Sequence, residues 1–146
     1  MSSRYEVVVV REGQTSRLDR VRDDVFDHPI DPKRTSAFLA DPSNYLVVAL
    51  DGEVVVGMAS GFSYLHPDKP RQLFVNEVAV SEPYRRRGLG RRMVERLLEE
   101  ARRRGCAEAW VATHASNTAG RALFGPSAGG QEDPDRAVVF TWDSLP

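Results

Sequence analysis

The residues best equipped for chemistry in this chain are Arg85, Arg86, Arg87, Gly88, Leu89, Gly90 and Arg91. They stand between the run Glu77-Val-Ala-Val80 and a long amphipathic segment. Three adjacent guanidinium groups offer charge-assisted donors. Gly88 and Gly90 remove side chains where a ligand must come close to the backbone. The first N–H groups of a helix have no partner within it and favour an anion. A strand, a basic glycine turn and a helix start, in that order, predict a site for a phosphate or pyrophosphate. Two familiar nucleotide patterns do not fit. There is no G-x-x-x-x-G-K-[ST] run, which excludes a P-loop. Gly88-Leu-Gly90-Arg-Arg-Met93 lacks the third glycine of the dinucleotide fingerprint.

The elements that must carry this turn can be read from patterning. Tyr5–Val10 is a β-branched run and predicts a first strand. Leu18–Phe26 predicts a polar helix, and Pro32–Ala40 a short one. Tyr45–Leu50 and Glu53–Phe62 flank Asp51-Gly52, a strong hairpin signal. Gln72–Val80 is the next strand. Leu89–Arg104 is the clearest helix: Leu89, Met93, Val94, Leu97, Leu98 and Ala101 form one stripe. Glu99 with Arg103 and Glu100 with Arg104 are i,i+4 pairs, and Gly105 supplies the stop. Ala107–Thr113 then makes a strand–helix–strand crossover of parallel strands. Asn117–Phe124 predicts a short helix cut by Gly125-Pro126, and Ala137–Trp142 a closing strand. The expected fold is α/β, a mixed sheet with helices on both faces, as one domain over residues 1–146.

Composition narrows the function class. A chain of 146 residues with 41% hydrophobic and 28% charged residues is an ordinary globular domain. A net charge of −1 argues against a generic nucleic-acid binder. Arginines crowd into Arg85–Arg104, while acids gather at Asp19, Asp23, Asp24 and Asp27 and again at Glu132, Asp133 and Asp135. The single cysteine, Cys106, rules out an intramolecular disulfide and suits a reducing cytoplasm. His28, His66, His114 and Cys106 show no metal-ligand spacing. No apolar run approaches the roughly 20 residues that cross a bilayer. The expected location is the cytoplasm, with no membrane and no nucleic-acid partner.

Arg85-Arg-Arg-Gly88-Leu-Gly90 fits the pattern [QR]-x-x-G-x-[GA], and Asn117-Thr-Ala-Gly-Arg-Ala-Leu-Phe124 looks like N-x-x-A-x-x-L-Y. Together, in this order and with a helix and a strand between them, they resemble the GCN5-related N-acetyltransferase (GNAT) superfamily. Within it, Asn76-Glu77-Val-Ala-Val80 and the tail from Gly129-Gly130 to Phe140 look most like the aminoglycoside 3-N-acetyltransferase branch. The resemblance implies a mostly antiparallel sheet with a central parallel pair splayed around an acetyl-CoA cofactor. The pyrophosphate would lie on Arg85–Gly90 and Arg91. The pantetheine arm would pair with Val78, Ala79 and Val80. Asn117 would contact that arm, and Phe124 would lie near the thioester sulfur. A homodimer is compatible with the family.

By the same resemblance, Glu77 becomes the candidate base that takes the amine proton, directly or through a water. An apolar setting would raise its pKa. Its alternatives are binding a cationic substrate or pairing with an arginine. A backbone N–H near Val78 would stabilise the oxyanion. Phe124 departs from the family, where a Tyr protonates the leaving thiolate; Phe cannot donate a proton. Tyr64 and His114 are distant substitutes. The acid clusters would attract a small cationic amine, aminoglycoside-like or polyamine-like. Three other readings stay open: a non-catalytic acyl-CoA-binding module, which Phe124 favours, an acetyltransferase of protein or peptide amines, and a nucleic-acid-binding domain using the Arg-rich helix.

Overall fold

The computed structural model describes residues 4–135 and 137–144. Five strands, β1 (Glu6–Val9), β2 (Asn44–Asp51), β3 (Val54–His66), β4 (Lys69–Val80) and β5 (Glu108–Val111), lie side by side in chain order. The first three junctions are antiparallel and β4–β5 is parallel. Gly52 and Glu53 make the β2–β3 turn, with Asp51 opposite Val54. The parallel junction requires a crossover, and α2 (Leu89–Arg103) provides it.

β2 is apolar without interruption because both of its faces are covered. Tyr45, Val47 and Ala49 pack on one side with the α2 stripe of Leu89, Met93, Leu97 and Ala101. Leu46, Val48 and Leu50 pack on the other with Leu18, Val25, and Phe38 and Leu39 of α1 (Pro32–Ala40). Asp31 caps α1 by accepting from the N–H groups of Lys33 and Arg34, and Pro32 stands at its first position.

Two expectations are corrected. Leu18–Phe26 is not a helix. After a 3-10 turn at Thr15–Leu18, Val21 bridges Val55 in parallel, with N–H to O=C bonds of 3.0 and 2.8 Å. Sheet pairing there replaces helical bonds that a polar, aspartate-rich run could not reward with burial. Ala137–Trp142 forms no strand, so β5 is an edge and the parallel pair lies at the end of the sheet, not its centre. β5 offers only four residues of ladder. So short an edge returns few hydrogen bonds for the entropy of ordering a further strand. Val138, Val139, Phe140 and Trp142 are accordingly all more than 70% exposed.

An ionic clamp secures α2. Glu100 is buried and takes both Arg11 Nη1 and Nη2, at 2.9 and 3.2 Å, and Arg104 Nε at 2.9 Å. Arg104 also donates to the carbonyls of Pro42 and Asn44 and lies 4.1 Å from the Tyr45 ring centroid. Glu99 faces Arg96 at 3.8 Å instead of Arg103. Exposed pairs of that kind contribute about 0–1 kcal/mol, whereas each large buried side chain of the stripe contributes roughly 1.5–3 kcal/mol. The stripe therefore holds α2 on the sheet, and the buried Glu100 sets its register.

The Glu100 carboxyl drops from 4.5 to about 2, chiefly through Arg11, with Arg104 adding and burial opposing. Its folded pKa lies below the unfolded one. The resulting stability is complete above pH 4.5 and is lost as pH falls towards about 2. Glu100→Gln is expected to cost about 2–3 kcal/mol at neutral pH. Urea unfolding at pH 7 and at low pH checks this: the difference between variant and wild type should shrink with acidification.

Candidate active site

β4 and β5 run together only from Gln72–Val75 opposite Glu108–Val111. Beyond Val75 they part, while β4 stays paired to β3 as far as Val80 opposite Gly57. A bulge starts the divergence. Ser60 stands opposite Glu77 and Gly61 opposite Val75, which leaves Asn76 as the extra residue. The bulge needs glycine on β3, because a Cβ at position 61 would stand 2.5 Å from the Phe74 carbonyl oxygen. One edge of β4 from Asn76 to Val80 is thus open to a ligand that pairs as a strand does.

A cleft of about 270 Å³ lies in the opening. Glu77, Val78 and Ala79 form one wall, with Ala112, Thr113 and Phe124 across from them. Val25, Asp27 and Met58 close it on the side of the irregular segment 19–31. The space is below the roughly 300–1,000 Å³ of drug-sized sites. It suits the reactive end of a long ligand and leaves the remainder outside.

The basic turn begins where β4 ends. Ser81–Arg85 passes through a 3-10 turn, Glu82–Tyr84. Arg86 then has φ 63° and Gly88 φ 77°. Alternating handedness of this kind turns successive N–H groups to one side. A non-glycine residue held left-handed, as Arg86 is, is uncommon and marks a conformation held by its surroundings. The first helical bond runs from Arg92 N–H to the Gly88 carbonyl at 3.1 Å. The N–H groups of Leu89, Gly90 and Arg91 therefore precede the first helical hydrogen bond.

The arginines divide. Arg85 Nε donates to the Val80 carbonyl at 2.9 Å. Arg87 donates to the Tyr5 hydroxyl and the Pro83 carbonyl. Arg91 pairs with Glu95 at 2.8 Å. Arg86 is the exposed cation of the turn with no such bond among the described contacts. Backbone N–H groups and Arg86 are thus the most available donors, while Arg85 and Arg87 shape the loop.

Glu77 lines the cleft but is exposed, contrary to the apolar setting expected for it. Asn117 lines the cleft and caps α3 (Thr118–Ala122): its side-chain oxygen accepts from Gly120 N–H and its amide donates to Thr113. Phe124 lies in a π-turn, Leu123–Ser127, half-buried against the core below α2. Tyr64 is opposite Gln72, about 17 Å along β4 from Glu77, and binds Gln72 and Trp110 instead. Of the acid clusters, only Asp27 lines the cleft. Asp19 and Asp23 border a separate shallow depression. Glu132 pairs with Arg121, and Asp133 accepts from Asp135 N–H.

The sequence model of the acetyltransferase (GNAT) family matches residues 14–127. The chain belongs to that family. It is 45% identical over 47 residues to the [ribosomal protein bS18]-alanine N-acetyltransferase of Escherichia coli, 32% of each chain. It is 38% identical over 78 residues to the N-alpha-acetyltransferase RimI of Mycobacterium tuberculosis, 53% of this chain and 49% of that one. The matches span a third to a half of those relatives' length. A solved structure of the aminoglycoside acetyltransferase AAC(6')-Iy with a bisubstrate analog, CoA-S-monomethyl-acetylneamine, superposes with a TM-score of 0.76 at 16% identity, covering 97% of this chain and all of that one. This GNAT chain thus shares its fold with that enzyme along nearly its whole length.

Gly88 and Gly90 separate conformation from packing. A Cβ at Gly88 meets nothing within 4 Å, yet its φ of 77° penalises any side chain. A Cβ at Gly90 would touch Leu123 at 3.4 Å, an ordinary contact. Gly88→Ala should therefore lower stability by about 1–2 kcal/mol, and Gly90→Ala by less than about 0.5 kcal/mol. Thermal unfolding of the two variants distinguishes them.

Proposed function

We propose that this protein is an acetyl-CoA-dependent N-acetyltransferase that acetylates a primary amine of a small cationic substrate by direct attack in a ternary complex. The observation that carries this reading is the open edge of β4 from Asn76 to Val80, beside a cleft and leading straight into an anion-binding turn. A CoA thioester has matching parts in matching order. Its amide-containing arm would pair with Val78, Ala79 and Val80, and its pyrophosphate would take the N–H groups from Arg86 to Arg91, since the Arg85 N–H is held by the Glu82 carbonyl. The acetyl end reaches the cleft.

The acceptor amine enters between Asp27 and Glu77. Both carboxylates are exposed at the cleft and attract an ammonium group before reaction. Glu77, lying on the strand that carries the acyl group, takes a proton from the amine through a water, and the neutral amine attacks the carbonyl carbon. The Val78 N–H stabilises the developing oxyanion. The C–S bond then breaks, and the acylated nitrogen releases its remaining extra proton to solvent. Phe124 cannot donate a proton and Tyr64 is far away, so the sulfur leaves as thiolate and solvent protonates it. A thiol pKa of about 8.5 makes that tolerable. Phe124 contributes apolar surface beside the sulfur.

Two sequence relatives, the bS18-alanine N-acetyltransferase and RimI, favour a second acceptor, the α-amine of a peptide or protein. An acetylation screen with thiol detection decides between them, using aminoglycosides, polyamines and short peptides with free N-termini. Acetyl-CoA binding without CoA release on any amine would favour a binding module instead. Glu77→Gln should lower turnover on the best amine by about 100-fold, with acetyl-CoA affinity changed by less than about twofold. Unchanged turnover across pH would remove Glu77 from the base role.

A further inference from the structure

The irregular segment 19–31 is anchored more firmly than its lack of regular structure suggests. Val21 is bridged to Val55. Arg22 Nε donates to Ser81 Oγ at 3.1 Å, and its guanidinium lies 5.8 Å from the Tyr84 ring centroid. Asp24 accepts from the Glu82 N–H at 2.8 Å. The neighbouring Ser81 hydroxyl, and then this N–H, hold the Asp24 carboxyl below its ordinary pKa.

Ser81 is fully buried at the point where β4 leaves the sheet, with its N–H on the Val56 carbonyl at 2.8 Å. Its own side chain does not cap the 3-10 turn that follows. Asp24 supplies that missing acceptor from a distant part of the chain. The later anchors of the loop, Tyr84 to Asp51 and Arg87 to Tyr5, act through side chains. Asp24 instead grips the backbone at the start of the segment that becomes Arg85–Gly88.

We infer that Asp24 is a positioning residue for the cofactor turn: its bond to the Glu82 N–H aims the N–H groups of residues 86–88 at the pyrophosphate of a CoA thioester. The inference rests on the reading of that turn given above. It also joins the two halves of the site. Val25 and Asp27, just beyond Asp24, line the cleft. One short segment therefore braces the cofactor turn and walls the acceptor side, although Asp24 itself touches neither the cleft nor the reacting atoms.

Full-length Asp24→Ala and Asp24→Asn test this. CoA affinity is measured by calorimetry. Steady-state kinetics compare acetyl-CoA with S-acetylpantetheine, a donor without pyrophosphate, on the best amine of the screen. Asp24→Ala should weaken CoA about tenfold and raise KM for acetyl-CoA in parallel, with kcat within about twofold. S-acetylpantetheine should be used as well as by wild type. Asp24→Asn, which keeps one acceptor oxygen, should fall between; it carries the test if the alanine variant does not fold. Unchanged CoA affinity in a folded variant, or equal loss with both donors, overturns the positioning role. Wild-type protein that does not bind CoA overturns the underlying reading, and this inference with it.

Discussion

The parting of β4 from β5 after Val75 is the constraint on which the rest of the structure depends. Parallel neighbours normally share a continuous ladder. Here the ladder is cut short by the Asn76 bulge on one side of β4, while β3 continues to hold the other side to Val80. A strand gripped on one edge and free on the other is rigid and still has backbone groups to offer. The cleft, the open edge and the basic turn are successive consequences of that geometry along a single run of chain.

Such a divergence is stable only if the flanking elements are fixed independently. α2 does this on one face through its buried stripe and the Glu100 clamp, which ties the exit of β1, the start of β2 and the end of the helix together. On the opposite face, α1 and the segment 19–31 close over Leu46, Val48 and Met58. The first is a deep, apolar anchor with one ionic group inside it. The second buries Leu18 and Val25 against Phe38 and Leu39, and two backbone bonds to Val55 with side-chain bonds from Arg22 and to Asp24 hold the irregular segment there.

The chemistry of the site is sparse. Its charge-handling groups are backbone N–H donors, one exposed carboxylate on β4 and a second carboxylate across the opening. Phe124 adds surface without a proton, and Tyr64 is engaged with Gln72 and Trp110. That distribution suits a reaction in which binding geometry and a reactive thioester do most of the work. It also leaves acceptor choice to a few residues on segments with little regular structure.

Sequence alone determined the parts whose information is local. The α2 stripe, the short helix from Pro32, the Asp51-Gly52 turn and the spacing Arg85-x-x-Gly88-x-Gly90 were all legible, because each depends on neighbours within a few residues. So was the GNAT family, whose two motifs, Arg85–Gly90 and Asn117–Phe124, are each local. The tertiary structure decided what local pattern cannot encode. Val21 pairs with Val55 rather than entering a helix, since a sheet edge made elsewhere in the chain offers it better hydrogen bonds. Ala137–Trp142 has strand-like residues but too short a partner to pair with. Arg85 and Arg87, identical in sequence terms to Arg86, spend their donors on Val80, Pro83 and Tyr5. Asp24 looked like one more acid in a wall, and folding set it on the backbone N–H of Glu82. For Val21, Asp24 and the Arg87 bond to Tyr5 the deciding partner lies dozens of residues away, and only packing brings it within reach of a hydrogen bond.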